Sequence, residues 1–213
     1  MANVSKINGF KPVKHVNGSP YNGQANVYAT ATTDSTALFV GDVVKLASDA
    51  NAQGIQFVTA ATSGTAGTGA AAVGVVVGVI NTKLDPVTGA MTNGSIALDT
   101  PQYRPASVAQ YVLVADAPDV IYEVEATTAS SAYTFLVGDV GLNANLTAGA
   151  GGSTVTGNSS YSLDCADKGT TATLPFKIVG VSQKIGNEVG ASCKVLVQLN
   201  NHQFKGGTGT AGV

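Results

Sequence analysis

The chain has 213 residues, of which 44% are hydrophobic and only 11% are charged, and its formal net charge is −2. This apolar content excludes a disordered chain and is enough for one large or two small hydrophobic cores. The scattered Lys and Arg residues form no basic stripe, so we expect no nucleic-acid partner. A nearly uncharged surface repels itself weakly, which suits a protein that packs into an assembly.

Residues 1–26 predict an extended arm, because two prolines and three Asn-Gly pairs interrupt any helical pattern. A mobile terminus is the alternative, but a disordered tail gains nothing from exposed aromatic residues. We therefore expect the arm to be ordered only when it docks on a neighbouring copy or on a partner surface. The expected docking residues are Lys6, Phe10, Lys11, Val13, Lys14 and Tyr21.

Two stretches that lie 97 positions apart read almost as copies. Residues 27–43 and 124–140 align without a gap, and both end in Val-Gly-Asp-Val. Each pattern predicts a strand, a loop, a tight turn and a second strand. We expect the two turns to be equivalent, with each glycine at positive φ. The turn residues are Gly41, Asp42, Gly138 and Asp139.

The duplication predicts two related β-modules, residues 27–115 and 116–204, followed by a flexible tail at 205–213. Each module also contains a Val-Gly-Val sequence, at 77–79 and at 179–181. Helical periodicity is absent almost everywhere, which predicts an all-β chain. The expected architecture is an antiparallel β-sandwich or barrel.

No segment of the first module predicts a metal, cofactor or membrane site. Residues 48–54 resemble the first half of a calcium loop, but Ala60 stands where a bidentate Glu is required, so an ordinary turn is favoured. The Gly/Thr-rich loop at 62–69 lacks the Lys of a phosphate loop. The apolar run at 70–80 is about half the ~20 residues that cross a bilayer, and it reads as a buried strand.

Further along, 85–89 reads as a turn, 94–98 as a short strand, and 110–126 as a hairpin with a four-residue turn at 116–119. In its second strand Glu123 and Glu125 alternate with apolar residues. We expect both to face solvent or a partner rather than to form a catalytic pair. Two further strands are expected near 172–183 and 193–199.

The reactive residues are few. Cys165 and Cys193 are compatible with a disulfide or with two buried thiols, and a reducing compartment during synthesis favours thiols. His15 and His202 stand apart from any nucleophile motif. We therefore expect no catalytic residues and no enzymatic activity. The amino-terminal residues lack the apolar stretch of a secretory signal, so export by that route is not expected.

Three segments resemble the cement, or head decoration, proteins of tailed bacteriophages: the arm at 10–23, the Val-Gly-Asp-Val-Val-Lys-Leu sequence at 40–46, and the ending at 194–204. The resemblance implies β-barrel, β-tulip-like or jelly-roll units. It also implies a structural protein on the outside of the capsid, made in the host cytoplasm, that binds the major capsid protein and itself as a homodimer or homotrimer. It would stabilise the head against the pressure of packaged DNA.

The alternative is a head-fibre or tail-associated module that binds host glycans. A sugar site needs clustered aromatic residues, whereas Trp is absent and the tyrosines are spread along the chain. The sequence therefore favours the cement protein.

Overall fold

The computed structural model describes residues 3–62, 71–80, 101–128, 131–147, 151–205, 209 and 211–212, and only the backbone of 82–84 and 91–96. The predicted turn at 85–89, and most of the predicted loop at 62–69 and of the tail at 205–213, lie outside the described residues. Within these ranges the chain is almost entirely β-structure, so the all-β prediction is confirmed.

The strands of the described part are β1 (Lys11–His15), β2 (Asn26–Ala29), β3 (Val43–Ala50), β4 (Gln56–Ala60), β5 (Gly74–Ile80), β6 (Thr82–Leu84), β7 (Met91–Ile96), β8 (Tyr111–Ala115), β9 (Val120–Thr127), β10 (Asn143–Leu146), β11 (Leu163–Gly169), β12 (Phe176–Val181) and β13 (Lys194–Leu199). Short 3₁₀ turns occur at Val137–Asp139 and Gln203–Lys205. Strands β6 and β7 pair only with each other.

Five strands from the first part of the chain close into a barrel, in the order β2-β4-β3-β5-β8. The barrel encloses its own apolar cluster, in which valines predominate because β-branched side chains pack well on a pleated surface. Its strands lie between Asn26 and Ala115, so the first of them begins one residue before residue 27, where the first module was expected to start. We call this barrel the first ring.

The remaining strands repeat that order. The pairings run β9-β11-β10-β12-β13, and β13 returns to β9, which closes a second ring. In each ring the first two strands of this order pair in parallel and all others pair antiparallel. The rings thus share one topology, and each departs from a wholly antiparallel barrel at a single pair.

The Val-Gly-Val sequences occupy equivalent places in β5 and β12. The register against the last strand of the ring shifts between Val76 and Gly78 in β5, and between Ile178 and Gly180 in β12. Each shift is a β-bulge at the first valine of the triplet. This shared irregularity supports the duplication more strongly than the strand order alone.

The predicted hairpin at 110–126 is wrong. β8 and β9 belong to different rings, since both edges of β8 are already paired, with β2 and with β5. The turn between β8 and β9 instead connects the rings, and the Asp116 carboxylate at its start accepts hydrogen bonds from Asn26 Nδ2 and from the Tyr28 hydroxyl. A turn signal predicts a reversal of the chain and leaves the pairing partner open.

The duplicated turns share one contact and differ in another. The Asp42 carboxylate accepts the Phe39 N–H at 2.8 Å, and the Asp139 carboxylate accepts the Leu136 N–H at 2.9 Å. The expectation of positive φ at both glycines is wrong for Gly138, which lies in a 3₁₀ turn, whereas Gly41 has φ +99°.

The position equivalent to Gly41 in strand pairing is Gly141, with φ +94°. The Gly41 N–H donates to Val76 O, and the Gly141 N–H donates to Ile178 O. β3 begins directly after Asp42, whereas β10 begins four residues after Asp139. The second ring therefore has three more residues between its duplicated aspartate and the next strand, and the glycine at positive φ is Gly141 instead of Gly138.

The two rings pack against each other through alanines and valines. The apolar cluster of the second ring includes first-ring residues, namely Val43, Ala61, Ala72, Val75 and Ala115. The small alanine side chains let the two sheets approach closely. The Tyr122 hydroxyl donates to Ala115 O at 2.9 Å, and the Tyr161 hydroxyl donates to Ala61 O at 3.0 Å. The larger core thus includes the contact between the rings.

Local geometry describes the two cysteines and the segment that resembles a calcium loop. Cys165 and Cys193 are free, buried thiols. Residues 51–55 form a turn in which the Asn51 side chain accepts the N–H groups of Gln53 and Ile55. Among the described residues, no group of three or more His, Cys, Asp or Glu side chains could hold a metal ion.

Candidate functional site

The arm docks on its own chain, contrary to the expectation that it is ordered only on a neighbour. Phe10 is 2% exposed, and its ring stacks on Phe176 with the centroids 4.5 Å apart. β1 pairs with the first half of β9, an edge that β11 leaves open because β11 reaches only Ala126 and Thr127. Phe10 is therefore a core residue and is not available to dock elsewhere.

The other expected docking residues lie at different depths. Val13, Lys14 and Tyr21 are partly buried, and the arm turns back on itself because the Tyr21 N–H donates to Val13 O. The Tyr21 hydroxyl donates to Gln24 O at 2.8 Å, and burial, followed by the charge of Asp116, raises the pKa of the phenol. This part of the arm is a structural hairpin.

A groove of about 610 Å³ lies where the arm meets both rings. It brings together four of the six expected docking residues, Lys6, Phe10, Lys11 and Tyr21. Gly41 also lines it, and the Phe10 N–H donates to Gly41 O at 2.9 Å. The groove is thus built by a backbone contact between the arm and the first-ring turn, which the sequence pattern did not predict.

Glu123 and Glu125 line this groove but are buried against their own chain, which corrects the expectation that they face solvent or a partner. The Glu125 carboxylate accepts the Ser5 hydroxyl and the Lys6 N–H, both at 2.7 Å. The Glu123 carboxylate accepts Lys184 Nζ at 2.7 Å and the Ser182 hydroxyl at 2.5 Å. The arm and the β12–β13 connection therefore cover the outer face of β9.

The charge of Glu123 is held by these bonds. Burial alone would raise the pKa of its carboxyl, but hydrogen bonds from Lys184 and Ser182 outweigh burial and lower the pKa. Four lysines line the groove: Lys6, Lys11, Lys184 and Lys194. Lys6 and Lys11 are exposed and form no salt bridge within the described part of the chain. The rim of the groove is therefore basic, with two cations available to a partner.

Lys184 and Lys194 did not enter the expected docking set. Lys184 lies in the connection between β12 and β13, and Lys194 is the first residue of β13. Lys194 reaches the groove because β13 pairs with β9, where it faces Glu125. No local motif marks such a pairing. The one available signal was the pair of glutamates on one face of β9. Two carboxylates side by side need cations or hydrogen-bond donors nearby, which points to lysines elsewhere in the chain.

The two duplicated aspartates differ in their surroundings. Asp42 is 1% exposed, and burial raises the pKa of its carboxyl to about 7, although hydrogen bonds from Ser159 and the Phe39 N–H oppose this. In the described part of the chain, no basic side chain forms a salt bridge with it. Asp139, in contrast, lies 3.4 Å from Lys168 Nζ and accepts the Tyr133 hydroxyl.

The histidines have structural partners. His15 Nδ1 lies 3.1 Å from the Asp119 carboxylate. His202 is fully buried, with Nε2 2.9 Å from Asp116 O, and its Nδ1 accepts the Phe204 N–H. Burial lowers the pKa of His202, which favours the neutral ring. Neither arrangement places a nucleophile beside a general base.

Comparison of the chain with protein-family models, curated proteins and solved structures found no match. Among the described residues, no helix has the length and apolar character needed to cross a bilayer. The candidate site is therefore defined by its own geometry, as a basic groove beside an immobilised arm.

Proposed function

We propose that this protein is a structural cement protein that binds the outside of a tailed-bacteriophage head, at junctions between major capsid subunits. The observation that carries the proposal is the anchored arm: its backbone is held by β9 and by Gly41, while Lys6 and Lys11 remain exposed. Cations on an ordered backbone bind acidic groups with little further loss of conformational entropy. A near-neutral surface around them suits dense packing on a shell.

The mechanism needs only many modest contacts. Each subunit bridges neighbouring capsid subunits, and oligomeric subunits engage several of them at once, so the second contact is effectively intramolecular. Bridging opposes the outward pressure of packaged DNA. No chemical step is involved, and the protein acts at the capsid surface of the virion.

The glycan-binding alternative has less support. Tyr111 and Tyr122 are buried, and Tyr103 stacks on Phe39 with the ring centroids 4.8 Å apart. Tyr133 lies under Lys168 Nζ, which is 4.5 Å from the ring centroid. These tyrosines therefore do not form the open aromatic platform on which sugars stack.

The test uses phage particles that lack this protein. Adding the purified full chain should raise the temperature at which the particles release DNA. The variants Lys6→Glu and Lys11→Glu should each weaken binding, and together they should weaken it at least tenfold. Lys205→Glu, a single charge reversal on an exposed residue outside the groove, is the control for each single variant and should bind like the wild type. Particles that stay equally stable without the protein but fail to adsorb to cells would favour the head-fibre alternative.

A further inference from the structure

The two rings differ in how their duplicated turns are covered. In the first ring Phe39 is 3% exposed, whereas its counterpart in the second ring, Leu136, is 58% exposed. The next residue of the second turn, Val137, is 72% exposed. We call residues 136–140 the open turn. Since the two turns share the same aspartate contact, the difference lies in what covers them.

Tyr103 stacks on Phe39, the Phe10 N–H of the arm donates to Gly41 O, and the rest of the cover of the first turn comes from the second ring. The Val40 N–H donates to Gly157 O, and the Ser159 N–H donates to Val40 O, both at 2.9 Å. Gly152 lies so close to Phe39 that a Cβ there would approach the ring to 2.5 Å. These residues belong to the connection between β10 and β11. One ring therefore presents its turn, and the other covers it with this connection.

The same pair of surfaces occurs a second time in the chain, and there the two surfaces do not cover each other. The second ring presents the open turn, and the first ring carries the corresponding β3–β4 connection, residues 51–55. Ala52, Gln53 and Gly54 in this connection are exposed. If this contact between a turn and a connection repeats from one copy to the next, each isolated copy has one turn that no connection covers and one connection that covers no turn.

The chemistry of the two surfaces is compatible. Around the open turn, Val179 and Val189 are 45% and 47% exposed. Each is next to a residue that bonds to an end of the turn, since the Gly141 N–H donates to Ile178 O and the Phe135 N–H donates to Gly190 O. The carboxylate of the turn, Asp139, is buried and paired with Lys168. The connection at 51–55 carries no charged side chain. Contact would thus bury apolar surface without desolvating an unpaired charge.

We propose that a second copy of this chain places its β3–β4 connection on the open turn, so that copies associate head to tail. The contact is heterologous: it joins different surfaces of the two copies and forms a ring if the rotation closes. The inference rests on the internal repeat and specifies the self-contact of the proposed cement protein. It can fail while capsid binding holds, because it is tested on the isolated protein.

The test uses single-cysteine additions, Val137→Cys on the open turn and Ala52→Cys on the connection. The native Cys165 and Cys193 are buried, so they do not compete. Under mild oxidation, a mixture of the two variants should give a cross-linked dimer, at least tenfold above a mixture of Ala52→Cys with Val155→Cys, a control whose residue is 90% exposed outside the turn. A chain carrying both additions should give a ladder or a closed ring of linked copies.

Three results would overturn the proposal. Efficient cross-linking of Val137→Cys alone would indicate that the open turn contacts itself in a two-fold dimer. Equal yields from the Val137 and Val155 mixtures would indicate random collision. A sedimentation profile unchanged by Leu136→Asp, under conditions where the wild type associates, would place the contact elsewhere; the expected result is loss of association, with Val155→Asp behaving like the wild type.

Discussion

Replacing Asp42 with Asn should remove the contribution that this carboxyl makes to the pH dependence of stability between pH 4 and pH 8. The carboxamide of the variant keeps an oxygen that can accept the Phe39 N–H, the bond that holds the turn. It cannot ionise, however. The substitution therefore separates the hydrogen bond from the buried charge.

The sign and size follow from the raised pKa. Burial raises the pKa of Asp42 from 3.8 to about 7, so the folded state retains a proton that the unfolded chain releases. The corresponding stability is fully present below about pH 4 and is lost as the pH rises through 7. A tenfold difference in proton affinity is worth about 1.4 kcal/mol, which gives a loss of about 4 kcal/mol across this range.

The assay is urea unfolding of the wild type and of Asp42→Asn at several pH values from 4 to 8. The difference between their unfolding free energies isolates Asp42, because groups such as His202 are unchanged in both proteins. Relative to the wild type, the variant should gain about 4 kcal/mol from pH 4 to pH 8. Asp139→Asn is the comparison: it likewise keeps an oxygen for the turn contact, but it loses the ion pair with Lys168, and should destabilise the protein by about 1 kcal/mol at neutral pH.

A flat difference between wild type and Asp42→Asn over this range would refute the reasoning. It would mean that water or a cation reaches the carboxylate in the folded protein, so that its ionisation costs nothing. A variant that loses stability relative to the wild type as the pH rises would indicate that Asp42 is held ionised.

Other substitutions test the turn, the arm and the thiols. Gly41→Ala should lower the free energy of unfolding by about 2 kcal/mol in chemical denaturation, because φ is +99° and Asn8 O would lie 2.8 Å from the new Cβ. Gly138 has open space around it, so Gly138→Ala should be neutral or slightly stabilising. Equal losses of stability in the two variants would contradict this difference. Phe10→Ala should cost about 3 kcal/mol in the isolated monomer, and an unchanged unfolding midpoint would show that the arm does not dock in cis. Burial raises the pKa of the Cys165 thiol to about 12, so aromatic disulfide reagents should label the native protein only at its unfolding rate, and fast labelling would contradict the buried position.

The sequence alone was sufficient for features that depend on local chemistry. Alternating β-branched residues and missing helical periodicity predict an all-β chain, and the duplicated Val-Gly-Asp-Val and Val-Gly-Val patterns point to a repeat. The argument that a tight turn needs a residue without a Cβ predicted positive φ at both Gly41 and Gly138, and it holds only at Gly41, where φ is +99°. Such properties depend on neighbours in sequence.

Other features depended on which strand edges were already paired with another strand. The turn at 116–119 looks like a hairpin, yet β8 had filled both edges with β2 and β5, so β9 starts a second ring. β11 was not predicted at all, because its sequence Leu-Asp-Cys-Ala-Asp-Lys-Gly has no β-branched residues and is held by pairing with β9 and β10. Pairing energy between distant strands overrides local propensity in such cases.

The candidate site is the clearest case. Lys6, Phe10, Lys11 and Tyr21 could be selected from the sequence, but their meeting with Glu123 and Glu125 could not, because the arm docks in cis only when β9 offers a free edge and Phe176 a facing ring. Alternation placed both glutamates on an outer strand face, and the tertiary structure then covered that face. The sequence determines which way a side chain points from its strand, whereas only the packing of distant segments determines what it meets there.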